Sequence, residues 1–93
     1  MMDTANTYGE IRTLLDAHHA AHAKELAAEA LRVSQNATLF YLYGLACARM
    51  GEYSQAMTAF MQSERLDPQS PAVHAKEMLE DIYAFRNTDM INP

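Results

Sequence analysis

Several things are scarce in this sequence, and each scarcity removes a class of protein. Among 93 residues there is one cysteine, Cys47, with three glycines and three prolines. A lone cysteine forms no internal disulfide. Cys47 sits in an apolar helical run, where it is expected to be a small buried hydrophobe in a reducing compartment. So few glycines and prolines argue against a low-complexity chain. Basic residues are few as well: seven Lys and Arg against twelve Asp and Glu, for a net charge of −5. They are dispersed from Arg12 to Arg86. Phosphate binding needs clustered positive charge, so nucleic acid is not an expected partner. No apolar run is long enough to span a bilayer, and no basic segment followed by an apolar one opens the chain. A cytoplasmic location without membrane attachment is the expectation.

What is present is apolar periodicity. Apolar residues make up 49% of the chain, enough for one packed domain, although a chain of this size buries only roughly 60–70% of its unfolded surface. The 3.6-residue period and its punctuation predict five helices. The first opens near Thr7, with Thr7 and Glu10 spaced as a capping box and Ile11, Leu14 and Leu15 on one face. A turn follows around His18 and His19. The second helix runs from about Ala21 to Val33, with Ala23, Leu26, Ala27, Ala30 and Leu31 at helical spacing, and Ser34, Gln35 and Asn36 break it. The third covers about Thr38 to Met50 and stops at Gly51, a residue suited to the left-handed helix end. The fourth covers about Ser54 to Leu66 and ends at Asp67-Pro68. Ser70, an N-cap followed by Pro71, starts a fifth helix that reaches about Phe85, and a polar tail completes the chain. No strand pattern competes, so the expected class is all-α.

The helices repeat. Leu14 and Cys47, Ala23 and Ala56, Ala30 and Ser63, and Val33 and Leu66 each stand 33 residues apart. A 34-residue step takes Ala37 to Pro71. Periods of this length mark stacked helical hairpins. The expected layout is one domain over residues 1–93: a degenerate repeat at 7–36, a full repeat at 37–70, a closing helix at 71–85 and a tail at 86–93.

The middle copy, ATLFYLYGLACARMGEYSQAMTAFMQSERLDPQS, resembles a tetratricopeptide repeat. Phe40 stands for the bulky aromatic of the first helix, and Gly44 and Ala56 for the small residues where two helices press together. Gly51 and Tyr53 form the turn, Phe60 is the large residue of the second helix, and Leu66-Asp67-Pro68 closes the unit. Tyr43, Cys47 and Ser63 depart from the usual leucine, aromatic and alanine. In the first copy Ile11 and His18 stand where glycines are usual. The closing helix and tail are similar to endings of small bacterial members of the family. The resemblance implies a short solenoid of about two and a half repeats that acts as a protein-interaction module.

Catalytic or metal chemistry finds little support. His18 and His22 are four apart with His19 beside them, a spacing that suits two metal ligands on a continuous helix. The expected turn breaks that helix, so a solvated histidine-rich turn is favoured and no metal is assigned, though Asp16 and Glu25 are available carboxylates. His74 is expected to be a partly buried packing residue. Cys47 has no evident base. Glu80-Asp81 and Glu25/Glu29 read as solvated helix faces rather than an acid/base pair. No glycine-rich loop cradles phosphate. Neither an enzyme nor a cofactor is expected.

A binding face is expected instead. In the resembled family the first helix of each hairpin lines a concave surface that takes a peptide. The matched positions here are Tyr8 and Arg12 in the first unit, then Tyr41, Leu45, Ala48 and Arg49 in the second. In the last helix they are Lys76 and Tyr83, where strict spacing and best apolar packing differ by one residue. Large amphipathic side chains of these types dominate interface energetics, although the same tyrosines also serve to cover neighbouring helices. The partner is therefore a protein or peptide. The family members that clamp a chaperone's terminal carboxylate do so with lysines, arginines and asparagines. Here those sites hold Tyr8, Arg12 and Leu42, then Ala72 and Lys76 or Val73 and Glu77, which do not make that clamp. The alternative is a homodimer through the last helix: of its Val73, Met78, Leu79, Ile82, Tyr83 and Phe85, with Met90 and Ile91 beyond, some pack on the fourth helix, and the side without a sixth helix is covered either by the tail folding back or by another chain.

Overall fold

A computed structural model describes residues 4–91, with side chains over residues 6–82. It contains α1 (Thr4–Asp16), α2 (Ala20–Val33), α3 (Ala37–Arg49), α4 (Tyr53–Leu66) and α5 (Ala72–Ile91), and no strand among the described residues. Each helix packs on the next, α1 also lies against α3, and the molecule is elongated, 53 × 28 × 18 Å. Helices α1 and α2 form one hairpin, α3 and α4 a second, and α5 closes the stack against α4.

Local chemistry explains the boundaries. At the end of α3, Gly51 adopts φ +78°. Its amide donates to the Ala48 carbonyl (3.1 Å) and that of Glu52 to the Cys47 carbonyl (2.9 Å). These two bonds satisfy the orphan carbonyls of a helix end whose next residue is left-handed. The first hairpin turn repeats them 33 residues earlier. His18 takes φ +64°, the His18 amide donates to Leu15 (3.2 Å) and the His19 amide to Leu14 (2.8 Å). The other helix ends match too: the Ser34 amide donates to Ala30 (3.0 Å) and the Asp67 amide to Ser63 (2.9 Å). The period read from the side chains is thus also a period in backbone hydrogen bonding. Asn36, expected only to break α2, also caps α3 by accepting from the Leu39 amide at 2.9 Å. Ser70 caps α5, its hydroxyl accepting from the Ala72 amide at 3.1 Å.

Three expectations are corrected. The first helix is already formed at Thr4, so Thr7 is buried within α1 and does not begin it. The last helix continues past Phe85 to Ile91, so most of the expected tail is helical. His74 is exposed on α5, not partly buried.

The core joins the hairpins in series. Ile11 and Leu15 of α1, Ala23, Ala27 and Ala30 of α2, and Leu39, Leu42 and Ala46 of α3 form one buried cluster. Small alanines on α2 let the larger leucines of α3 approach closely. Cys47 of α3, Ala56 and Phe60 of α4, and Ala72 and Leu79 of α5 form the second cluster. Phe60 is 1% exposed, and burying such a ring stabilises by about 1.5–3 kcal/mol. Gly44 makes room for it: a Cβ there would lie 2.6 Å from Phe60 Cδ1.

Candidate functional site

Burial along α3 separates its faces. Leu39, Leu42, Gly44, Ala46 and Cys47 are buried, while Tyr41, Leu45 and Ala48 are half-buried and Arg49 is exposed. Positions 41, 45 and 48 share one stripe of a helix, and that stripe is the side left open. Tyr8 and Arg12 hold the equivalent places on α1, with Tyr8 packed on the first core cluster and Arg12 exposed.

The register of α5 follows from what it buries. Ala72 is 0% and Leu79 3% exposed, matching buried Leu39 and Ala46 at the 33-residue period. Met78 then answers to Leu45, and Asp81 to Ala48. Lys76 answers to Tyr43 and turns away from the open stripe. Its ammonium bonds Glu64 of α4 at 2.6 Å, and that hydrogen bond raises its pKa. Arg49 is also engaged, its Nη1 donating to the Leu15 carbonyl at 2.5 Å. A cation on the last carbonyls of α1 suits the negative end of the helix dipole, so Arg49 ties the two hairpins together. Tyr41 lies tilted over Phe60, with ring centroids 6.3 Å apart. The side chain of Tyr83 lies outside the described ones.

Between α3 and α5 the open face holds a depression of about 170 Å³, lined by Leu45, Ala48, Phe60, Ala75, Met78, Leu79 and Ile82. Every described lining residue is apolar. Met78 is 56% and Ile82 43% exposed, large side chains that α4 leaves uncovered. Of the expected residues, the structure gathers Leu45 and Ala48 at this depression, with Tyr41 stacked beside Phe60. Ala75 was not among the expected binding residues, and Met78 and Ile82 were expected only at the alternative dimer surface. Their spacing of three and four was the available signal, obscured because the same helix also needed apolar residues to pack on α4.

The opposite side carries a wider cleft of about 420 Å³ between α2 and α4, floored by Phe40 and Tyr43 and rimmed by Ser54, Gln55, Thr58 and Gln62. Lys24 of α2 pairs with Glu52, just before α4, at 2.7 Å. That hydrogen bond raises the pKa of Lys24. Burial raises the Tyr43 phenol and pushes the Cys47 thiol up, so the thiol stays protonated at neutral pH and is a poor nucleophile. A third depression of about 500 Å³ lies between α1 and α2, lined by Asn6, Glu10, Thr13 and His22 beside Leu14 and Leu26. His18 and His19 fall in the turn, apart from His22 on α2. Among the described residues no three His, Cys, Asp or Glu side chains gather as a metal site would require. No helix among them is long and apolar enough to cross a membrane.

No family model matches the chain, and no curated protein does. The fold is similar to the solution NMR structure of the Bacteroides fragilis protein BF1650, with a TM-score of 0.81 and 29% identity over 98% of this chain and 91% of that one.

Proposed function

We propose that the chain is a short tetratricopeptide-type hairpin stack working as a protein-interaction module of the bacterial cytoplasm, taking a peptide or partner protein on the face shared by α1, α3 and α5. The observation that carries this is the α3–α5 depression, whose described lining is apolar throughout and edged by exposed Met78 and Ile82. Exposed apolar surface of this kind marks interaction sites. Supporting the tetratricopeptide assignment are the two matched left-handed turns 33 residues apart and the close approach of Gly44 to Phe60. In this role the protein needs neither catalytic group nor cofactor.

Self-association through α5 is the second candidate, favoured by the same exposed Met78 and Ile82. A sixth helix, however, would pack on the residues equivalent to Phe40, Gly44 and Cys47, which are Val73, Glu77 and Glu80. Both glutamates are exposed, so that side already suits water. The deciding experiment is affinity capture with mass spectrometry, comparing the natural chain with a Tyr41→Ala/Met78→Ala variant. Loss of the captured protein by the variant supports the open face, and unchanged capture counts against it. Concentration-dependent sedimentation shows in parallel whether the free chain stays monomeric.

A further inference from the structure

We infer that the α3–α5 depression is an anchor site for one leucine- or phenylalanine-sized side chain of a basic partner segment. Its premise is the interaction role proposed above, which leaves the chemistry of the partner open. The volume sets the size of the anchor. At about 170 Å³ the depression is comparable with apolar protein cavities of about 150 Å³ that take a benzene molecule. It therefore holds one ring or one branched aliphatic group. The lining sets polarity. With Leu45, Phe60, Leu79 and Ile82 around it and no polar side chain among its described lining, a polar group inserted there would lose its water with no hydrogen bond in return.

Charge sets what flanks the anchor. Asp81 follows Met78 by three residues and adjoins Ile82, at the edge of the depression, and Glu77 shares its face one turn back toward the end of the stack; both are exposed. The described structure gives neither a hydrogen-bonded counter-ion. Among the described cations, Lys76 bonds Glu64 and feels Glu77 and Glu80 only as neighbouring charge, and Arg49 bonds the Leu15 carbonyl. The whole chain carries −5. A lysine or arginine next to the anchor side chain would meet Asp81 and Glu77 in favourable juxtaposition, and such complementarity governs partner choice and encounter rate. An acidic segment would be repelled. A second copy of this chain, itself at −5, would bring more negative charge to that face.

The test is an NMR titration of the isotopically labelled full chain with three short synthetic peptides: one with a central leucine flanked by lysines, a twin with glutamates replacing the lysines, and a twin with alanine replacing the leucine. The expected result is that the lysine–leucine peptide shifts the signals of Leu45, Met78, Leu79 and Ile82. It should bind at least about tenfold more tightly than either twin, a difference of about 1.4 kcal/mol. Asp81→Lys, a substitution at an exposed position, should reverse the preference between the lysine and glutamate peptides while leaving the circular dichroism unchanged. Equal binding of the glutamate twin overturns the charge complementarity, and equal binding of the alanine twin overturns the anchor; both leave the open face as the interaction surface. No shift with any peptide overturns the anchor site while the capture experiment still decides the face. Shifts confined to α2 and α4 overturn both. Self-association that perturbs the Met78 and Ile82 signals overturns the inference in favour of a second copy.

Discussion

Gly44 and Gly9 show how one substitution changes sign with its surroundings. Both are helical, and alanine at a helix interior is favoured over glycine by about 1 kcal/mol. At Gly9 a Cβ meets nothing within 4 Å, so Gly9→Ala is expected to raise the thermal midpoint. At Gly44 the Cβ runs into the Phe60 ring, which is 1% exposed and packed in the second core cluster. Overpacking there costs about 1–3 kcal/mol and outweighs the propensity gain. Gly44→Ala is therefore expected to lower the midpoint by roughly 5–10 °C, given about 4–8 °C per kcal/mol for a domain of this size; an unchanged or raised midpoint sinks the packing account. The glycine at this position was legible in the sequence as a close-approach residue. What it approaches was not, because the distance between α3 and α4 depends on Phe60. Ser63 is a second case. It stands where the resembled family has alanine, and it is 0% exposed. Its hydroxyl donates to the Ala37 carbonyl at 2.6 Å and lies 2.7 Å from Ser70 Oγ. With its one proton given to Ala37, Ser63 accepts from Ser70, and Ser70 in turn accepts the Ala72 amide at 3.1 Å. The chain of bonds links the starts of α3 and α5 through α4. Ser63→Ala, the substitution toward the family pattern, is expected to destabilise by about 1–3 kcal/mol by orphaning buried partners. A double variant with Ser70→Ala should cost less than the sum of the two singles; strict additivity in chemical denaturation would speak against a shared network.

Among the elements, the turns carry the repeat most faithfully. Gly51 and His18 both lie in the left-handed region, at φ +78° and +64°, and both turns make the same pair of backbone bonds. Glycine reaches that region freely, whereas a side chain there costs on the order of 1–3 kcal/mol. Histidine at position 18 therefore stores strain that its sibling turn lacks. His18→Gly is expected to stabilise by about 0.5–1 kcal/mol after allowing for the greater freedom of glycine in the unfolded chain, and Gly51→Ala to destabilise by about 1 kcal/mol. Urea midpoints read both, and a destabilised His18→Gly chain would mean that the imidazole has a role in the turn beyond its backbone shape. The five helices and their order were legible because punctuation and period agreed at Gly51, Asp67-Pro68 and Ser70. The two outer ends were less so. Thr7 and Glu10 fit a capping box by spacing alone, and nothing in the sequence opposed it; the structure instead buries Thr7 inside α1. On α5 two registers competed, and only the burial of Ala72 and Leu79 separates them. That one-residue difference turns Lys76 toward Glu64 and brings Met78 to the open face. The lining of the depression was illegible for the same reason, since Leu45 and Ile82 meet only through the packing of α5 on α4.

At the scale of the whole molecule the electrostatics point one way. The thiol of Cys47 and the phenol of Tyr43 are both raised, chiefly by burial, from ordinary values of 9.0 and 10.0. Lys24 and Lys76 are raised from 10.5, chiefly by their hydrogen bonds to Glu52 and Glu64. In all four the folded chain keeps its proton to higher pH than the unfolded chain does. Their contribution is complete below the unfolded values and is lost as pH climbs through the folded ones, because stability falls with pH wherever the unfolded state binds fewer protons. The lysine side chains remain 23% and 22% exposed, and ion pairs so open to water contribute little. The buried thiol and half-buried phenol therefore lead. The denaturation midpoint is expected to stay flat from neutral pH to just below the ordinary thiol value of 9.0 and to decline beyond it. Cys47→Ala removes the first of these titrations. Its midpoint should start lower, because a filled site is partly emptied, yet hold flat until the ordinary phenol value of 10.0. Urea titrations at a series of alkaline pH values compare the two onsets. A natural chain whose midpoint rises through that range, or a Cys47→Ala chain that turns down at the same pH, would show that burial around Cys47 does not govern the alkaline limit of the fold.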